Sequence, residues 1–213
     1  MGRSRKRMSG GERRAQLVQV GRKVFAEKGY QSVTVEEIAA AAGVTKPVVY
    51  EHFGGKEGLY AVVIDREMER VIQVVSEAIG TGTPRERFDQ AIVAFLTYVR
   101  DEPDGFAVLA HDDPFALSDG RLASLLATVG SRVEQVFTQS FSAVGYDPKA
   151  APIYAQALIG MITYVARWWV DHPNVSADDI ASHLSALSWM GLRHLPKKPG
   201  RVKVPKARRK KRR

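Results

Sequence analysis

Between residues 45 and 53 the chain carries Lys46, Val48, Tyr50 and His52 at positions a short helix can turn outward. These types supply a cation for a phosphate or a guanine, an apolar group for a thymine methyl, and two polar rings. They are not a catalytic set; they suit the reading of a duplex in its major groove. To do so, the helix that bears them needs a second helix to hold it. Residues 34–42 provide one, joined to the first by Gly43, Val44 and Thr45, the layout of a helix-turn-helix whose first helix braces and whose second enters the groove. Thr34 with Glu37 forms a capping-box start, Thr45 caps the second helix with Pro47 in its first turn, and Gly43 suits the positive φ of the bend. Ile38, Ala39, Ala42, Val44 and Val49 make the small core between them. A generic pair of packed helices with polar outer faces has the same spacing, so spacing alone leaves both readings open.

Other chemistries find little support. His52, His111, His172, His183 and His194 are dispersed, with no HExxH or His-x3-His pattern. His111-Asp112-Asp113 is compatible with a metal, and equally with a polar loop between helices. Without cysteine there is no disulfide framework, thiolate zinc site or cysteine nucleophile. No GxSxG elbow, Walker A loop or dinucleotide fingerprint occurs, and Gly54-Gly55-Lys56 lacks the remainder of a phosphate loop. The expectation is a non-enzyme with no cofactor and no metal.

Helices are expected throughout, so the fold class is all-α: an N-terminal three-helix domain containing the helix-turn-helix, then a larger α-helical bundle. A first helix over 12–28 stops at Gly29, and others follow over 34–42, 45–53 and 56–79. In the second half, helices are expected from Pro84 to about 100, broken by the DEPDG sequence at 101–105, then over 106–111, 118–144, 148–172 and 176–192. The chain has 213 residues, 45% hydrophobic and 26% charged, with a formal charge of +9. That charge belongs to the ends: residues 1–14 carry a net +5 and 193–213 a net +12, while the body between carries −8. Like-charge runs repel themselves and attract polyanions. The expected organisation is therefore a disordered basic arm over 1–11, a helix-turn-helix domain over 12–55, an effector-binding and dimerisation domain over 56–195, and a disordered basic tail over 196–213. The uncharged stretch 150–166 falls short of the roughly 20 apolar residues a bilayer span needs. It reads as a helix buried between protein surfaces, and a reducing cytoplasm is the expected compartment.

Residues 34–60, TVEEIAAAAGVTKPVVYEHFGGKEGLY, resemble the DNA-binding signature of TetR-family transcriptional regulators. Thr34, Ile38, Ala39, Ala42, Gly43, Val44, Thr45, Tyr50, His52, Phe53, Lys56 and Leu59 fill the family's pattern, which extends upstream through AEKGY at 26–30. Gly54-Gly55 departs from it, since the family often has a polar cap before the Lys; a looser helix start is expected. The resemblance implies that Thr34 binds a phosphate, and that Thr45, Lys46, Pro47 and Val48 meet base edges or methyl groups. It also implies that Tyr50 and His52 contact phosphates and that Lys56 clamps the adjacent backbone. Phe53 and Leu59 belong to the core. Arg3, Arg5, Lys6, Arg7, Arg13 and Arg14 are expected to add an arm able to enter a minor groove.

For the second half the resemblance implies a homodimer of a repressor type that binds a palindromic DNA operator and takes a small effector. Ala155, Gly160, Thr163, Ile180, Leu184, Leu187 and Trp189 are the expected dimer-interface positions on the last two helices. Phe88, Ile92, Phe95, Phe106, Leu109, Leu126, Val133, Phe137, Ile162 and Trp168 are the expected ligand-binding positions, and their apolar character favours a hydrophobic effector. Residues 160–196 are similar to the end of actinobacterial TetR-family regulators of fatty-acid metabolism, some of which respond to long-chain acyl-CoA. An acyl-CoA or fatty acid is thus the favoured effector, with another lipophilic molecule or drug as the alternative. The tail either grips DNA beyond the operator or is a solvated extension. Two rival classes are a nonspecific, nucleoid-type DNA binder and a lipid carrier.

Overall fold

The computed structural model describes residues 8–79, 81–110 and 131–196, apart from 132, 136, 140, 143 and 144. Every described element is a helix. Four helices build the N-terminal half: α1 (Gly10–Ser32), α2 (Val35–Ala41), α3 (Lys46–Phe53) and α4 (Lys56–Ala78). α1 begins two residues before its expected start because Ser9 and Glu12 form a reciprocal capping box, with Ser9 N donating to Glu12 Oε2 at 2.7 Å. Gly29, expected as the stop, takes φ 71 and ψ 155 and breaks the helical path, yet one more turn carries the helix to Ser32. The arm expected over 1–11 therefore ends in helix, and residues 1–7 lie outside the described part.

Leu17, Phe25, Ile38, Val49, Leu59 and Val63 are fully buried in one apolar cluster shared by α1 to α4. Phe25 and Tyr60 meet edge-on at 4.9 Å, and α1 comes close enough to α4 that a Cβ on Gly21 would sit 2.9 Å from Leu59 Cδ2. The Gly54-Gly55 pair is not a loose start for α4. Gly54 closes α3 at φ 73, and Gly55 opens α4 at φ 135, a backbone region that residues with a Cβ rarely adopt. Two glycines are what this sharp turn requires.

The second half has α5 (Pro84–Asp101), α6 (Pro103–Ala110), a 3-10 turn (Pro148–Ala150), α7 (Ala151–Val170) and α8 (Ala177–Arg193). Described residues between 131 and 142 are also helical; the remainder of the expected 118–144 helix lies outside the described residues. The expected break over 101–105 shrinks to Glu102, at φ −129 and ψ 58, because Pro103 is tolerated at the start of α6. Likewise Pro148 opens only a 3-10 turn, and the long helix starts at Ala151. A second apolar cluster joins α5, α6, α7 and α8 through Ile92, Leu96, Phe106, Ala166, Trp169, Ile180 and Leu184. The Trp169 indole donates to the Val175 carbonyl at 2.8 Å, fixing the turn between α7 and α8. No helix among the described residues is long and apolar enough to cross a membrane.

α6 belongs to both clusters, placing Val108 and Leu109 against the first and Phe106 in the second. Where the two halves meet, Arg22 of α1 lies 2.8 Å from Glu67 of α4 and 2.8 Å from Glu102. The Tyr98 hydroxyl of α5 donates to Glu67 Oε2 at 2.8 Å, and Arg70 closes the rim by pairing with Glu102. Burial, then the Glu67 charge, pushes the Tyr98 pKa far above its ordinary value, so the phenol stays a donor. Gly105 lies directly over this network: a Cβ there would fall 2.0 Å from Glu67 Oε2 and 2.6 Å from both the Arg22 guanidinium and the Tyr98 hydroxyl. Because those side chains hold one another, they have no free direction in which to yield. Gly105→Ala is expected to destabilise the chain by about 1–3 kcal/mol, the usual cost of overpacking, read as a lower urea midpoint at unchanged m-value.

Candidate nucleic-acid interface and effector body

The orientation of α3 is set by three attachments. Val49 is fully buried under it. At its start the α2–α3 turn is pinned by Gly43 at φ 64, with Gly43 N donating to Ala40 O at 3.1 Å and Val44 N to Ala39 O at 2.9 Å. Gln16 of α1 adds a hydrogen bond to the Ala42 carbonyl at 3.2 Å. At its far end Arg14 donates to the His52 carbonyl and lies over the Phe53 ring, 4.3 Å from its centroid. Arg14, expected in the DNA-reaching arm, is therefore part of the frame, and Arg13 bonds Gln16 within α1. Arg3, Arg5, Lys6 and Arg7 lie outside the described residues.

On this frame Thr45, Lys46, Pro47 and Tyr50 are exposed together on one side of α3. Thr45 caps α3 by position only; its hydroxyl makes no cap hydrogen bond. Lys46 Nζ lies 2.5 Å from Glu36 of α2 and 5.8 Å from the Tyr50 ring centroid. Val48 and His52 are half-buried, Val48 against the N-terminal cluster, so both present less of themselves than the spacing suggests. Thr34 is exposed with its hydroxyl committed to Glu37, accepting from Glu37 N at 3.2 Å and donating to Glu37 Oε2 at 3.0 Å. Lys56 does not reach outward: it donates to the Tyr30 carbonyl at 3.0 Å and sits 4.1 Å over the Tyr30 ring. That carbonyl belongs to the last turn of α1, where it also accepts from Val33 N at 3.3 Å. As expected, Leu59 is core and Phe53 packs against it.

The effector positions divide. Ile92 and Phe106 are buried in the second cluster, Phe88, Phe95 and Ile162 pack on it, and Phe95 meets Phe106 edge-on at 6.1 Å. Val133 and Phe137 are half-buried, with Phe137 edge-on to Phe141 at 5.5 Å. Leu126 lies outside the described residues, as does His111-Asp112-Asp113. Two positions differ from expectation. Leu109 faces the N-terminal cluster, because α6 turns that side toward α1 and α4. Trp168 is exposed and stacks on His172 at 4.3 Å, on the outer side of α7.

The interface positions divide too. Ile180 and Leu184 are buried in the chain's own second cluster and Ala155 is buried as well, so none of the three is free to meet a second copy. Thr163 turns its hydroxyl back to the Ile159 carbonyl at 2.7 Å, and Trp189 is half-buried near Arg85. Gly160 faces open space, and Leu187 is 64% exposed. Helical spacing missed Ile153 and Val170, Tyr164 at 76% exposure and Met190 at 61%. Tyr164 with Trp168, and Leu187 with Met190, form the i,i+4 and i,i+3 pairs that would have marked this outer stripe.

Comparison with known proteins agrees with this arrangement. Residues 17–63 match the profile of bacterial regulatory proteins of the tetR family, and residues 81–192 match that of the tetracyclin repressor-like C-terminal domain. The chain belongs to the TetR family of DNA-binding transcriptional regulators. It is 28% identical over 187 residues to the HTH-type transcriptional activator FasR of Mycolicibacterium smegmatis, covering 87% of this chain and 85% of that one. The fatty acid degradation regulator FadR from Bacillus halodurans superposes with a TM-score of 0.73 at 17% identity, over 89% of this chain and all of the other. AibR, solved in complex with isovaleryl coenzyme A and operator DNA, superposes with a TM-score of 0.68 at 20% identity, over 83% of this chain and 97% of that one. These two likenesses establish the fold.

The caps that aim the helix-turn-helix carry a pH signature. A hydrogen bond from Lys28, then those from the Thr34 backbone and hydroxyl, hold the Glu37 carboxyl at about 2, against an ordinary 4.5. A carboxyl depressed on folding contributes stability that is complete above about pH 4.5 and is lost as pH falls toward 2. Glu37→Gln is expected to flatten the fall in melting temperature across that window and to lower the melting temperature at pH 7. An acid limb identical to that of the wild type would show that this cap contributes nothing.

Proposed function

We propose that this regulator acts as a homodimeric repressor of a palindromic DNA operator and that a hydrophobic effector, best matched by a long-chain acyl-CoA or fatty acid, controls its binding. The observation that carries the reading is the exposed Thr45, Lys46, Pro47 and Tyr50 side of α3, held from beneath, at its start and at its end. Thr45, Lys46, Pro47, Val48 and Tyr50 are the residues assigned to base edges and adjacent phosphates. Thr34 and Lys56 stand at the starts of α2 and α4, where helix N-termini favour a phosphate; Lys56 must exchange the Tyr30 carbonyl for that phosphate, and His52 flanks the reading surface.

The outer stripe of Ile153, Tyr164, Leu187 and Met190 on α7 and α8 supports pairing with a second copy, since apolar side chains this exposed are expected to be covered. Two recognition helices can then enter successive major grooves only if they lie roughly 34–36 Å apart. The effector reading rests on the aromatic and aliphatic groups around Phe88, Phe95, Phe106 and Ile162, and on the fatty-acid and acyl-CoA wording attached to FadR and AibR. α6 supplies a route by which that body reaches the DNA-binding half, since it packs on both clusters. An effector that prefers one setting of α6 shifts the protein toward it by its difference in affinity between the two settings. FasR bears the name of a transcriptional activator.

Footprinting on DNA upstream of the protein's own gene tests the whole reading: a protected palindrome is expected whose protection changes with palmitoyl-CoA. Protection indifferent to palmitoyl-CoA would remove the acyl effector, and salt-sensitive smearing without a discrete site would remove the operator. Tyr50→Ala is expected to keep the dimer and to lose operator affinity by at least tenfold. Leu187→Asp is expected to give a monomer by light scattering that no longer protects the site; a dimer at unchanged affinity would place the interface elsewhere.

A further inference from the structure

The proposed reading surface carries a carboxylate exactly where a polyanion is to approach. Glu36 lies in the first turn of α2 with its side chain 62% exposed, and its Oε1 is 2.5 Å from Nζ of Lys46, which opens α3 and is itself 48% exposed. The two acids of that turn have different duties. Glu37 completes the capping box with Thr34 and pairs with Lys28, whereas Glu36 lies outside that box, accepts from its own backbone N–H and pairs with Lys46. The Lys46 hydrogen bond is also the main cause that lowers the Glu36 pKa, and the same bond raises that of Lys46, so both stay charged at neutral pH. An ion pair this exposed adds little to the stability of the fold. Its effect is to be sought in binding.

We propose that Glu36 is a specificity-determining residue, an internal counter-ion that holds Lys46 in the free protein and so reduces binding to DNA of arbitrary sequence. The proposal rests on the reading of α3 as the helix that meets DNA. Nonspecific affinity comes from lysines and arginines that neutralise phosphates and release their condensed counter-ions. Lys46 is already neutralised, so a generic phosphate must displace a carboxylate to gain it, and that carboxylate is then left facing the duplex. A site that offers Lys46 directional acceptors, such as guanine O6 and N7, repays the exchange, while a random site does not. The device acts by penalising the wrong partner and needs no added attraction to the right one.

The test uses fluorescence anisotropy with the full chain and two labelled duplexes of equal length. One is selected from a random-sequence pool by the wild-type protein, and the other is its scrambled counterpart. Glu36→Gln is expected to bind the scrambled duplex roughly five- to tenfold more tightly near 0.1 M salt, with a log–log salt slope steeper by about 0.9, the contribution of one added phosphate contact. Its gain on the selected duplex is expected to be smaller, so the ratio between the two falls. In a Lys46→Gln background the same Glu36→Gln change is expected to have no effect on the scrambled duplex. Unchanged affinity and slope for Glu36→Gln would overturn the proposal. So would a full gain in the Lys46→Gln background, because Glu36 would then act as a general negative charge and not through Lys46. Failure of the wild type to select any duplex would instead count against the function proposed for α3, and a duplex drawn from the unselected pool would still decide the role of Glu36.

Discussion

Arg22 is a cation set at the meeting point of α1, α4, α5 and α6, and the relation between the two halves of the chain depends on how it is satisfied. Its side chain is 18% exposed and that of Glu67 only 7%. Charges so placed are tolerated only when paired and hydrogen-bonded. Two carboxylates, Glu67 and Glu102, answer two guanidiniums, Arg22 and Arg70, so the group is neutral as a whole, and Tyr98 adds a donor to Glu67. Apolar contacts alone would let the halves slide at modest cost. Directional ion pairs do not, and with Gly105 seated closely over them any second setting of α6 must rearrange these pairs together.

Helix α3 follows a different logic. Its underside is rigid, fixed by Val49, by the glycine turns and by the Arg14 contact, while its outer side carries few groups and those are lightly held. Lys46 has a carboxylate partner and Thr45 has no cap bond. Lys56, which resembles a phosphate clamp in sequence, is engaged by the Tyr30 carbonyl in the last turn of α1. A helix of this kind is positioned by the core and tuned by its surface pairs.

Much of this was legible in the sequence, and the parts that were not have identifiable causes. Short-range signals read well: Thr34 with Glu37 starts a helix as their spacing predicts, and helices open at Pro84 and just after Ser176 close to where they were expected, because a cap is settled within four residues. The helix-turn-helix core is likewise local: Ile38, Ala39, Ala42 and Val49 are buried as expected, while Val44, expected with them, is half-buried against the cluster. Facing across the fold was the weak point. Ile180 and Leu184 share a helix with Leu187, and only tertiary packing against α5 decides that the first two point inward and the third outward. The same ambiguity hid that Leu109 packs on the first cluster and that Trp168 stands exposed beside His172. Arg22, Glu67 and Glu102 escaped notice because their spacing along the chain carries no pattern that would announce a contact.

Glu102 draws two of these strands together. It is the one residue between α5 and α6, so its two backbone torsions are the whole joint between those helices, while its side chain is gripped by Arg22 and Arg70. A longer connection would behave as a slack tether, absorbing a displacement of α6 before anything else felt it. A single-residue joint has no such play. Any tilt of α6 must rotate Glu102 and tug its carboxylate against α1 and α4, so the connection works as a crank and not as a string.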